Sequence, residues 1–317
     1  YLSKQDRAFM TRLVDGTIEY MLQLDYIIDS FSKTKVRKMK PFIRNLLRMS
    51  VYQIKYMDAV PDSAVCNEAV KLAKRHKFAQ LSGFVNGVLR NIARNIDSVQ
   101  FDTLSIRYSM PQWIVDRFVS AYGEKKAEEI FKAFHSKSTI SIRTNLTRCT
   151  PDELRAMLEA EGVTVTAVDE LDYAFVISGF DYLNGLQSFR DGLFYVQDIS
   201  SMLVAQTAAP KKGDYVIDVC AAPGGKSTHI AELLQGSGHV LARDLTDNKV
   251  DMIEENIDRH GLNNMSAEVW DATVPDADSA GKADILICDL PCSGLGVLGR
   301  KKDIRYKMTP ESVDELV

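Results

Sequence analysis

Ten residues from Asp218 to Ser227, DVCAAPGGKS, follow a short apolar run, YVI, and precede a helix-like segment, KSTHIAELL. Two nucleotide-binding patterns can be tested on this loop. A phosphate loop requires GxxxxGK[ST]; Gly225-Lys226-Ser227 supplies its end, but Cys220 stands where the first glycine must be. A dinucleotide fingerprint requires GxGxxG, and the adjacent pair Gly224-Gly225 does not fit it. What remains is AAPGG at a helix start. Small residues there admit close backbone approach, and exposed N–H groups can hold a carboxylate. S-adenosylmethionine carries a carboxylate and no phosphate, so it suits this loop. Asp244 ends the next strand, where an acid can accept hydrogen bonds from ribose hydroxyls, and Asp271 follows the third strand, placed for an adenine edge. An acid closing a strand is usually a solvated cap; three in register after successive strands point to a cofactor.

A fourth strand ends in DLPCSGLG, from Asp289 to Gly296. Amino-methylating enzymes of this kind usually present Pro-Pro-aromatic here, whereas Pro291-Cys292 puts a thiol at the target. C5 of a pyrimidine is a weak nucleophile. A thiolate adding at C6 makes C5 enamine-like, and a base must later remove the C5 proton. Asp289 can hold the ring edge and stabilise the charge that develops. The bland reading of Cys292 is an inert loop residue. Cys220 and Cys288 adjoin strands and read as buried small apolar residues. With Cys66 and Cys149 the cysteines number five. None forms a CxxC pair, which suggests neither a disulfide framework nor a zinc site, and no metal is expected. The cytoplasm is the expected compartment.

These residues need elements to position them. Residues 1–105 read as helices: MTRLVDGTIEYMLQLDYIID has helical spacing, and Pro41 fits the first turn of a second helix. Asp62 or Ser63 would cap a third, and Ser82–Asn91 opens a fourth. Residues 106–195 read as a small α+β domain. Within it Trp113–Phe134 is helical, SIRTNL a strand, Thr150 the cap of a helix ending at Gly162, and VTVTAV and YAFVIS strands. Residues 196–317 alternate strand and helix, which implies a doubly wound parallel sheet with fewer strands than a complete one has. A last helix begins near Thr309. The fold class is therefore multidomain: an all-α domain, a small α+β domain, and an α/β Rossmann-like domain, C-terminally incomplete.

The net charge of −4 conceals an asymmetry. The first hundred residues hold seventeen Lys and Arg against nine acids, and the rest twenty-two against thirty-four. A basic module joined to an acidic one suggests a polyanionic partner for the former, though solvated helix surfaces would look the same. No apolar run is long enough to span a membrane. The default oligomeric state is a monomer.

Together, DVCAAPGGKS and DLPCSGLGVLGRKKDIRY resemble the RNA (cytosine-5) methyltransferase family, and SGFVNGVLRNI is similar to the RNA-binding domain of the NusB antitermination factor. The combination looks like the Sun-type bacterial enzymes that methylate one cytosine in 16S ribosomal RNA, and it covers essentially the whole chain. The resemblance implies S-adenosylmethionine bound by Cys220, Ala221, Ala222, Pro223, Gly224, Gly225 and Lys226, with Asp244, Asp271 and Asp289. It implies that Asp289 touches the base and that Cys292 assists product release. The attacking cysteine would then lie in a Thr-Cys motif beyond Val317, so the chain to Val317 is expected not to turn over alone. The runner-up mechanism makes Cys292 the nucleophile. Arg300, Lys301, Lys302 and Arg305 are expected to contact RNA phosphates, as are Lys35, Arg37, Lys38 and Lys40 in the front domain. The target cytosine would have to be unstacked, from a single-stranded region. Other readings are an antitermination-like RNA-binding factor, or a methyltransferase acting on transfer RNA or protein.

Overall fold

The computed structural model describes residues 3–136 and 139–316. The chain forms two compact units, Tyr1–Lys137 with Cys292–Val317, and Ser138–Pro291 between them.

The first unit opens with α1 (Lys4–Glu19) and α2 (Met21–Phe31), parted at Tyr20 within one apolar periodicity. Then come α3 (Pro41–Tyr56), α4 (Asp62–Arg75) and α5 (Ser82–Asn95). Pro41 is in the first turn of α3 as expected. Pro61, not Asp62 or Ser63, occupies the cap position of α4; Asp62 lies in the first turn, where a carboxylate favours the helix dipole. Leu24, Ile27, Leu47, Val51, Leu89 and Ile92 close the core of this bundle. Each such side chain contributes about 1.5–3 kcal/mol by leaving water. After α6 (Leu104–Arg107), the stretch expected as one helix is two, α7 (Gln112–Tyr122) and α8 (Glu124–Phe134). Gly123 breaks it at φ +77°, a conformation open to glycine because it has no Cβ.

The second unit begins with β1 (Ile140–Thr144), α9 (Pro151–Ala160), β2 (Thr164–Val168) and β3 (Leu171–Ser178). It continues through α10 (Gln187–Arg190) to β4 (Phe194–Val196). These strands make an antiparallel sheet in the order β2-β3-β1-β4. Thr150 caps α9 reciprocally with Glu153. The chain then alternates: α11 (Ile199–Ala208), β5 (Tyr215–Asp218), α12 (Gly225–Leu233), β6 (His239–Asp244), α13 (Asp247–His260), β7 (Met265–Val269), β8 (Ile285–Ile287). The sheet is parallel, ordered β7-β6-β5-β8. Strand order reverses between β5 and β8, so the crevice at the carboxyl end of β5 is where such a sheet binds ligands.

The segment from Cys292 returns to the first unit, where Leu295 and Leu298 pack with Met110, Ile114 and Phe131. It ends in α14 (Ile304–Lys307) and α15 (Pro310–Asp314), the latter capped by Thr309. The compact units thus cut the chain differently from the sequence-based domains. Residues 106–136 join the helical unit, the two sheets share one unit, and 292–316 leave the parallel sheet for the helices.

Candidate active site

The loop from Asp218 sits at the reversal of strand order. Gly224 adopts φ +97° immediately before α12, and a Cβ on Gly225 would lie 3.1 Å from the Tyr195 ring. Glycine is therefore favoured at both positions, by the backbone angle at Gly224 and by the close Tyr195 ring at Gly225. Two side chains hold the loop by the Pro223 carbonyl: the Tyr195 hydroxyl donates at 3.1 Å and Asn256 Nδ2 at 2.9 Å. Asp244 accepts from the Ala222 N–H (2.9 Å), the Leu245 N–H (2.8 Å) and Lys249 Nζ (2.8 Å). Burial would raise the Asp244 carboxyl, but Lys249 and the two N–H donors outweigh it and hold it below the usual range. Asp244 thus ties the loop to β6, in addition to any role toward ribose.

Beneath the loop lies Arg143 of β1, a charged residue that sequence reading did not single out. It is 1% exposed. Its guanidinium donates to both oxygens of Glu232 (2.9 and 3.2 Å), to Thr228 Oγ1 (3.2 Å), to the Gly225 carbonyl (3.0 Å) and to the Gln197 side chain. It also lies 5.3 Å from the centre of the Tyr195 ring. Burial works against ionising Glu232, yet Arg143 and the His260 ring hold its carboxyl below the ordinary value. One cation of the small sheet thereby fixes the first turn of α12.

A cavity of about 180 Å³ opens over the loop. Its walls include Tyr195, Gln197, Asp198, Ser201, Asp218, Cys220, Gly225, Lys226 and Asp289. Asp218 is 1% exposed and accepts from Ser227 Oγ at 2.6 Å; burial pushes its carboxyl up. Lys226 Nζ reaches Asp289 Oδ2 at 2.5 Å. The wall thus carries three carboxyl groups and one ammonium. The residues from Tyr195 to Ser201 precede the recognised motif and carry no chemical pattern of their own; YVQDIS beside a strand end was the only signal.

The other expected site residues fall as follows. Asp271 is exposed and folds back on Thr273, whose hydroxyl and N–H hold its carboxyl below the usual range. Cys292 is exposed and opens the segment that belongs to the helical unit. Cys288 is exposed and Cys220 half-buried, against the expectation that both are buried. Arg305 is 0% exposed and is no RNA contact. Its guanidinium donates to the carbonyls of Glu19 (3.3 Å), Ser109 (3.4 Å) and Leu298 (3.0 Å). Carbonyls at a helix end lack intrahelical donors, and a buried arginine supplies several at once. Lys302 is matched by Glu19 at 2.6 Å. Arg300, Lys301, Arg37, Lys38 and Lys40 are exposed, as is Lys35, which donates to the Asp29 carbonyl.

Next to Glu232, His229 on α12 is 2% exposed. Burial first, then the Arg143 charge, push it down to about 3 from 6.5, with Glu232 opposing. Between those values the unfolded chain binds a proton that the folded chain refuses, so stability rises with pH. We expect unfolding free energy to fall by about 2 kcal/mol from pH 7.5 to pH 5 through this residue. Urea unfolding at both pH values, for the protein and for His229→Asn, measures it. An equal loss in the variant would remove His229 as the source.

The parallel sheet, the loop after β5 and the acids at its rim define the fold class as a Rossmann-like methyltransferase domain, joined to an α+β domain and a helical one. Family comparisons agree along the chain. Residues 1–94 match the NusB family, residues 110–180 the ferredoxin-like domain of RsmF/B-like methyltransferases, and residues 205–317 the family described as 16S rRNA methyltransferase RsmB/F. The chain is 38% identical to the probable ribosomal RNA small subunit methyltransferase B of Bacillus subtilis, over 98% of this chain and 70% of that protein. It is 33% identical to the Synechocystis protein of the same description, over 100% of this chain and 73% of the relative. The solved structure titled PH0851 shares the fold at TM-score 0.79 and 23% identity, covering 98% of this chain and 71% of that one. The chain belongs to the small-subunit ribosomal RNA methyltransferase B family. Among the described residues no helix is long and apolar enough to cross a membrane.

Proposed function

We propose that this protein binds S-adenosylmethionine in the cavity after β5 and methylates C5 of a cytosine in 16S ribosomal RNA. The observation that carries the reading is the acid-walled cavity at the strand-order reversal. Asp198, Asp218 and Asp289 against Lys226 suit a cofactor that is cationic at its sulfonium and ammonium groups. The first turn of α12 offers N–H groups to its carboxylate. When bound, the cofactor supplies an electrophilic methyl group. The protein's own part is to hold and polarise the base. Asp289, paired with Lys226, is proposed to grip the cytosine edge while a thiolate adds at C6, and Cys292 to assist scission of that bond once the C5 proton has left. Asp244 and Asp271 are proposed to meet the ribose and adenine, and Cys220 to Lys226 to line the cofactor. Arg300, Lys301, Lys35, Arg37 and Lys38 are proposed phosphate contacts. Family membership supports ribosomal RNA over transfer RNA, protein, or a non-catalytic RNA-binding role.

Calorimetry with S-adenosylmethionine is expected to show saturable binding by the protein. Gly225→Val, which drives a branched side chain against Tyr195, is expected to weaken it about 5- to 150-fold, since a clash of this kind costs about 1–3 kcal/mol. No binding at millimolar cofactor by folded protein would overturn the reading. With the enzyme at its natural length, the acceptor is identified by tritium at cytosine C5, which is released to water as the methyl group enters. Release from transfer RNA but not from 16S RNA would refute the ribosomal assignment.

A further inference from the structure

The two side chains that meet at the Pro223 carbonyl come from different parts of the second unit. Tyr195 is the middle residue of β4 in the antiparallel sheet, and Asn256 lies on α13, which packs against β6 and β7 of the parallel one. Neither stands in the DVCAAPGGKS motif. Two features make them converge. Gly192, in the turn before β4, has φ +66°, and a Cβ there would collide with the Arg259 carbonyl oxygen. The last turn of α13 is therefore seated directly on that turn. The Arg259 side chain extends the seat. Its guanidinium lies 4.3 Å from the centre of the Phe189 ring and donates to the carbonyls of Phe189 and Phe194, each at 3.4 Å.

The same guanidinium decides which way Asn256 faces. Arg259 Nη2 donates to Asn256 Oδ1, and a guanidinium accepts no hydrogen bond, so the amide must turn its NH2 group the other way. Asn256 Nδ2 then donates to the Pro223 and Met252 carbonyls, both at 2.9 Å, and lies 3.3 Å from the Tyr195 hydroxyl. Tyr195 is 6% exposed, with the guanidiniums of Arg143 and Arg259 5.3 and 5.7 Å from its ring centre. Burial pushes its hydroxyl up, with both charges opposing, so at neutral pH it keeps its proton and donates. The Pro223 carbonyl thus accepts two bonds, one for each lone pair, from side chains whose own positions are fixed from behind.

What this does for a ligand follows from where that carbonyl is. Pro223 and Gly225 line the cavity, and Gly224 lies between them. A loop of Ala, Pro and Gly has few side-chain contacts to hold it, and glycine loses the most freedom when it is ordered. A ligand that had to order it would bind more weakly for doing so. Held at one carbonyl from two sides, the loop is ordered before the ligand arrives. One such hydrogen bond matters little to a unit of this size, but it acts on the backbone that forms the cavity floor.

We propose that Tyr195 and Asn256 are positioning residues of the cofactor site, which pre-order the loop through the Pro223 carbonyl and thereby set its affinity for S-adenosylmethionine. The inference rests on the cofactor reading above. It is tested by calorimetry with S-adenosylmethionine on the protein, Tyr195→Phe and Asn256→Asp. Tyr195→Phe keeps the ring against Gly225 and removes only the donor. Asn256→Asp keeps the size, gives Arg259 a charged partner, and puts a carboxylate where a donor stood. Each is expected to bind about tenfold more weakly, with a melting temperature within a few degrees of the parent. Each is also expected to speed amide hydrogen exchange at Gly224 and Gly225 in the cofactor-free protein. Thr144→Val is the control. It removes another buried hydrogen bond of the same unit, from Thr144 Oγ1 to the Tyr173 carbonyl at 2.8 Å, and is expected to lower the melting temperature and leave affinity unchanged. Parental affinity in both loop variants, or an equal loss in Thr144→Val, overturns the proposal. Faster exchange in the loop variants with no cofactor binding by the folded parent would leave the tether standing and sink the cofactor reading instead.

Discussion

Arg143→Met is expected to destabilise the protein by about 3–5 kcal/mol, the usual cost of removing one partner from a buried ion pair. The reason lies in what remains. Glu232, 4% exposed, would keep the His260 ring at 3.3 Å, whose protonation burial disfavours; the Gly225 carbonyl would lose one of its donors and the Gln197 side chain its guanidinium partner. Replacing both charges, Arg143→Met with Glu232→Leu, is expected to recover most of that stability, since a buried pair contributes little net energy relative to apolar side chains of similar volume. Affinity for S-adenosylmethionine is not expected to recover with it. The double variant still lacks the guanidinium that holds the first turn of α12, and a loss of about tenfold, or 1.4 kcal/mol, is the expected remainder. Denaturant unfolding and calorimetry on the single and double variants separate the two effects. Full cofactor affinity in a stable double variant would show that Arg143 serves the fold alone.

Asp289→Ala should behave in the opposite way. Its side chain is 58% exposed and its partner Lys226 19%, so the 2.5 Å pair is screened by water and contributes at most about 1 kcal/mol to stability. A carboxylate placed to stabilise developing charge matters far more to the reaction, typically about 10²–10³ in rate. The enzyme at its natural length is therefore expected to keep its melting temperature within a few degrees while tritium release from cytosine C5 falls by that factor. Lys226→Met is expected to share part of the loss, because it frees Asp289 from its fixed position. Near-parental turnover in Asp289→Ala would remove this residue from the reaction.

The contrast between these two residues marks what the sequence could disclose. Asp289 stands in a motif whose spacing from Pro291 and Cys292 is chemical, and the loop of small residues after YVID excludes alternatives by counting. Helix starts were equally legible at Pro41 and Thr150, where a single local residue decides the geometry. Arg143 was not legible. It sits mid-strand in SIRTN, and its partners come from Gln197, Gly225, Thr228 and Glu232, far along the chain. Arg305 misled for the same reason. Beside Arg300, Lys301 and Lys302 it reads as surface charge, yet carbonyls near Glu19 and Ser109, brought together only by folding, draw it inside. The helix breaks at Tyr20 and Gly123 lie within continuous apolar periodicity, which records which face is buried and not where the backbone turns.

The return of the last segment to the helical unit sets an order of events on the ribosome. Met110, Ile114 and Phe131 leave the exit tunnel early, but Leu295 and Leu298, which complete their cluster, are made only after the whole of Ser138–Pro291. At about 5–20 residues per second that interval is roughly 8–30 s. During it the inserted unit can close on itself, while an apolar face of the nascent helices waits without its own cover. A chaperone that holds nascent apolar surface would therefore find this face open throughout that interval.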